Sequence, residues 1–162
     1  MIGARAIFGA ALACSAVLAR GAEPAELHGA SDAFAGPGIA LAWGVLRGAT
    51  EDATLVVLRI AVDAQRYAHV AIAGVDPFSQ RRETRFTGPA RDSGVDAGIP
   101  RGRFADTPRT EVRLYASSAA LRADAPGLVV YYLSIPDTTP EFADTASLRA
   151  YLDARMARLG KP

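Results

Sequence analysis

From position 39 onward apolar residues recur at every second place, and this period of two constrains the fold more than any other feature of the chain. Ile39, Leu41, Trp43 and Val45 alternate with Ala40, Ala42, Gly44 and Leu46, and Val56, Leu58, Ile60 and Val62 alternate with Leu55, Val57, Arg59 and Ala61. Successive strand side chains point to opposite faces, so these runs predict central strands over 39–46 and 54–62, the first apolar on both faces. Residues 67–75 set Ala68, Val70 and Ile72 against Tyr67, His69 and Ala71, and 82–86 reads as a more polar fourth strand after a turn at Asp76-Pro77. Farther on, 110–116 places Val112, Leu114 and Ala116 inward and Glu111, Arg113 and Tyr115 outward; 128–135 is apolar on both faces apart from Ser134.

The period then changes. Leu148, Leu152, Arg155, Met156 and Leu159 follow helical spacing, with Asp144 or Thr145 as cap and Gly160 as stop, which predicts a helix over 145–159. Tyr151 widens the apolar stripe, so the helix is expected to lie on a sheet. Six or seven short strands in about 100 residues, followed by one helix, predict a mainly β fold: an immunoglobulin-like antiparallel β-sandwich with one C-terminal α-helix. The single domain is expected over 38–160, preceded by a flexible lead-in at 23–37.

Residues 1–22 have a different character. Arg5 precedes an apolar, small-residue run over 6–19, and a polar, proline-containing stretch follows, the pattern of a secretory signal peptide cleaved near 19–22. Its apolar core of about 14 residues is shorter than the roughly 20 that cross a bilayer. The expectation is an exported protein, periplasmic or secreted, with no transmembrane span in the mature chain. A second reading makes Cys14 the lipidated first residue of a lipoprotein, after Ala11-Leu12-Ala13. Removing Arg5 and Arg20 from the 18 basic residues leaves 16 against 17 acidic ones, so no general attraction to nucleic acid is expected.

Sites of known chemistry are sparse. His28 and His69 stand about forty residues apart, far from the close-spaced pairs of zinc sites, and the 92–98 stretch lacks the full calcium-loop pattern. No serine sits in a G-x-S-x-G elbow, and Gly36-Pro37-Gly38 precedes a strand rather than the helix a phosphate loop needs. No metal, cofactor or catalytic residue is therefore expected. One constellation remains: Arg81, Arg82, Arg85, Arg91, Arg101, Arg103 and Arg109, seven cations against Glu83, Asp92, Asp96 and Asp106. Arg85, Arg91, Arg101, Arg103 and Arg109 are the candidate binding residues, since guanidinium groups recognise carboxylates and phosphates. Neighbouring acids partly neutralise them, and Lys161 is the only lysine, so arginine here carries less functional meaning than elsewhere. The stretch 87–109 exceeds the usual 12–15 residues of a structureless connection, which predicts a mobile functional loop or a short edge strand over 99–104.

These observations lead to an exported, non-catalytic β-sandwich that binds a protein or envelope partner. The alternatives are a small-anion or ligand-binding domain using the arginine-rich stretch 81–109, and a hydrolase without a recognisable motif.

Overall fold

Two sheets face each other across one apolar layer. The structure, a computed structural model, describes residues 25–29, 32–105, 109–132, 135 and 138–162. The expected signal segment 1–22, with Cys14, lies outside the described residues, as do 106–108. Sheet A has the order β1 (Ala25–Gly29), β9 (Leu128–Tyr132), β8 (Arg109–Tyr115), β5 (His69–Val75), β6 (Arg82–Pro89). Sheet B runs β10 (Glu141–Phe142), β3 (Ile39–Leu46), β4 (Leu55–Val62), β7 (Val95–Pro100), and β2 (Ala33–Gly36) shares the β10 edge of β3. The helices are α1 (Gly102–Ala105), α2 (Ser118–Arg122) and the long α3 (Thr145–Leu159).

The alternating sets form the layer between the sheets. Leu41, Trp43, Leu58 and Ile60 from sheet B meet Val70, Ile72, Val112, Leu114 and Val130 from sheet A, all fully buried. Each such side chain stabilises the fold by roughly 1.5–3 kcal/mol. β3 is apolar on both faces because both are covered: its inner face by sheet A, its outer face by α3. Small residues make room for the helix. A Cβ at Gly44 would lie 2.7 Å from Leu148 Cδ1, and Leu148 and Leu152 bury themselves beside Ala42. The helix starts where expected, with the Asp144 carboxylate accepting the Ser147 backbone N–H at 2.8 Å. It ends at Gly160, whose φ of +82° suits glycine.

Four expectations need correction. Within the lead-in, 25–29 and 33–36 are strands: β1 pairs with β9 in parallel, and β2 pairs with β3 through the Pro37-Gly38 turn, where Gly38 takes φ +80°. The reason is the edge of β3, whose amides need acceptors. The Trp43, Val45 and Arg47 N–H groups donate to the carbonyls of Asp32, Pro140 and Phe142 at 3.0, 2.9 and 2.8 Å, so segments from early and late in the chain close that edge. With β1 on β9 and β10 on β3 both parallel, the sheets are mixed rather than purely antiparallel.

The stretch 87–109 is not a long loop. β6 continues to Pro89, and β7 pairs with β4 over Val95 to Pro100, burying Ala97 and Ile99. The alternation of Val95, Ala97 and Ile99 carries this strand, but the intervening Asp96, Gly98 and Pro100 have low strand propensity and mask it. The 90–94 connection is pinned as well: Val62 N–H donates to Arg91 O at 3.0 Å and Ala64 N–H to Asp92 Oδ1 at 2.9 Å. Ala116, expected inward, lies beyond β8 and is exposed.

Candidate functional site

The outer face of sheet A carries the chemistry. Register places Arg109, Glu111, Arg113 and Tyr115 of β8 on this face, beside Ala71 and Ala73 of β5, and beyond them Arg82, Thr84 and Thr87 of β6. Glu111, Arg113 and Tyr115 point outward as the alternation predicts, yet all three are buried. Long neighbours close over them: Glu111 is only 1% exposed, and it accepts from Arg82 Nε at 3.0 Å and from Arg109 Nη2 at 3.4 Å. Arg113 Nη1 lies 3.8 Å from the same carboxylate and 3.2 Å from Asp124. Three guanidinium groups thus surround one buried carboxylate, which needs them as counter-charges.

Two tyrosines extend the network. Tyr115 donates to Asp124 at 2.8 Å, and burial, helped by that carboxylate, pushes its phenol up to about 12. Tyr131 donates to Glu26 at 2.9 Å, with the Arg109 guanidinium 4.0 Å above its ring and His28 stacked on it; burial and Glu26 also raise its phenol. Between β6 and β8, over the small Ala71 and Ala73, a hollow of about 280 Å³ opens to solvent. At the sheet's end the β5–β6 turn presents Phe78, 95% exposed. That turn is held firmly: the Asp76 carboxylate accepts the Phe78 and Ser79 N–H groups at 2.8 Å each, which lower its own pKa.

The five candidate arginines do not share a common acid partner. Arg101 pairs with Glu141 at 2.6 Å beside sheet B, Arg103 with Glu83, and Arg109 with Glu111. Arg85 stands 5.5 Å over the Phe104 ring, and Arg91 is exposed, its carbonyl accepting from Val62. Of the five, only Arg109 belongs to the Glu111 cluster. Arg82, in the arginine-rich constellation but not among the five candidates, and Arg113, outside it, complete the cluster. Their signal was Glu111, the one carboxylate of β8, legible only once cross-strand neighbours are known.

His69 Nε2 lies 2.8 Å from Ser118 Oγ, a serine–histidine contact with no orienting carboxylate on the histidine among the described residues. No group of three or more His, Cys, Asp or Glu that could hold a metal occurs among the described residues, and no helix there is long and apolar enough to cross a membrane. Compared with protein families, curated proteins and solved structures, the chain matches none.

Proposed function

We propose that this chain is an exported, non-catalytic β-sandwich module that binds a protein partner of the cell envelope through the outer face of sheet A. The observation that carries the proposal is the unequal treatment of the two outer faces. α3 packs on that of sheet B and leaves a hollow of similar size beside Arg59 and Asp153, whereas that of sheet A, with no long helix over it among the described residues, combines its hollow with a buried carboxylate ringed by three guanidiniums and an exposed Phe78 at its end. Aromatic and arginine side chains are the groups that dominate protein interfaces. Export rests on the signal-like pattern of residues 1–22.

The fold reading in its finer form is immunoglobulin-like, and strand order supports it. Counting β3 to β9 as seven core strands, sheet B takes the first, second and fifth, and sheet A the seventh, sixth, third and fourth. Constant-type immunoglobulin domains pair second with fifth and third with sixth in the same way. Here only the fourth strand differs, joining the third.

Co-purification from the envelope of the producing cell tests the function. Thr84→Glu with Thr87→Glu adds charge to exposed positions of sheet A, and Ala146→Glu with Ala150→Glu does so on exposed positions of α3. Partner recovery should fall with the first pair and persist with the second, both at unchanged melting temperature. The reverse pattern would move the recognition surface to the helix.

A further inference from the structure

We infer that the hollow over Ala71 and Ala73 is a carboxylate site that takes a glutamate or aspartate side chain of the partner; this rests on the proposed use of sheet A's outer face. The first support is shape. Two alanines stand between strands that carry long or branched side chains, so a trough of about 280 Å³ remains, enough for one acidic side chain.

The second is the inventory of donors and acceptors. Arg82, 47% exposed at its side chain, uses Nε on Glu111, and its two η nitrogens have no partner among the described residues. Arg113 engages Glu111 and Asp124 through Nη1, leaving Nη2 without a partner among the described residues. The hydroxyls of Thr84 and Thr87 on the opposite wall are likewise uncommitted among those residues. Glu111 is too buried to meet a ligand, so among the described residues Asp124 is the one carboxylate lining the hollow. Uncommitted donors therefore outnumber acceptors, and the complementary group is an acceptor.

The third is charge. Arg82, Arg109 and Arg113 stand against Glu111 and Asp124, an excess of one positive charge. A monoanionic carboxylate balances it, and its two oxygens suit guanidinium forks. A dianion such as sulfate would meet Asp124 at the wall. The buried Glu111 has a defined part in this arrangement: it holds the guanidiniums in place before the ligand arrives, which lowers the ordering cost of binding.

Amide chemical shifts of the full domain, titrated with N-acetyl-glutamate amide, N-acetyl-glutamine amide and sulfate, test the site. Saturable shifts at Ala71, Ala73, Thr84 and Thr87 are expected with the glutamate probe alone. Arg82→Gln should weaken that binding about tenfold, the loss of one charged contact. Because Arg82→Gln also disturbs Glu111, Thr84→Asp serves as a second variant; it leaves the cluster intact and should abolish the response by repulsion. Equal shifts with the glutamine probe, tighter binding of sulfate, or unchanged affinity in Thr84→Asp would overturn the assignment. Should the Thr84/Thr87 pair lose its partner while the glutamate probe gives no response, the recognition face stands and the carboxylate site falls.

Discussion

The outer faces of the two sheets are built on the same backbone pattern and finished by opposite chemistries. Sheet B presents Ala42, Gly44, Leu46 and Val57, and α3 covers them with Leu148 and Leu152. Sheet A presents arginines, a glutamate and tyrosines, and closes over itself by ion pairing, with only the short α2 nearby among the described residues. The first solution removes apolar area from water under the helix. The second keeps charged groups ordered at a surface, and order without cover is what a recognition site needs.

The comparison can be broken at its root. Trp43→Ala empties the centre of the shared layer and should cost about 3–5 kcal/mol, read by denaturant unfolding. Leu152→Ala attacks only the helix-covered face and should cost about 2–4 kcal/mol, with partner recovery unchanged in the molecules that remain folded. Glu111→Gln attacks only the other face. It leaves three guanidiniums without their shared counter-charge and should cost about 2 kcal/mol, with partner binding weakened as well.

Titration sharpens the contrast in acid; in alkali both faces carry a phenol raised by burial, Tyr151 on α3 as well as Tyr115 on β8. On the helix side, Asp32 accepts from Tyr151 and Arg155; burial pushes its carboxyl up, but these two partners together hold it below its ordinary 3.8. Its folded pKa is lowered, so the clasp is complete above pH 3.8 and is lost as pH falls through the folded value. Tyr115 on sheet A has the opposite sign. Its folded value of about 12 lies above the ordinary 10.0, so its contribution is complete below pH 10.0 and is lost as pH rises toward 12. Residue-resolved hydrogen exchange should show α3 opening before β8 in acid. Loosening of both elements together there would mean that the faces are not independent. The smallest effect on stability belongs to Phe78→Ser, within about 0.5 kcal/mol because the ring is exposed, accompanied by weaker partner recovery.

How much of this could be read from the sequence differs between the same two faces. Period-two alternation located β3, β4, β5, β8 and β9, and helical spacing with Asp144 and Gly160 bounded α3, because apolar burial writes a repeating pattern into the chain. Strands completed by long-range pairing wrote no such pattern. β1 and β2, at five and four residues, are too short to show a repeat, and β7 alternates Val95, Ala97 and Ile99 with residues that disfavour strands. The Glu111 cluster was hidden for a related reason: Arg82 and Glu111 are 29 positions apart, and only the β5–β6 and β5–β8 registers bring them together. The arginine-rich stretch shows the converse error. Closeness in sequence suggested one receptor, whereas strand geometry sends Arg101, Arg103 and Arg109 to three different carboxylates.

The central claim is that sheet A's outer face is the working surface of the molecule. Site-specific photo-crosslinking in the producing cell tests it most directly, with a photoreactive side chain placed at Thr84 on that face or at Ala146 on the exposed side of α3. A discrete adduct from Thr84, suppressed by Phe78→Ser, with none from Ala146, is the predicted result. An adduct from Ala146 with none from Thr84 would contradict the account.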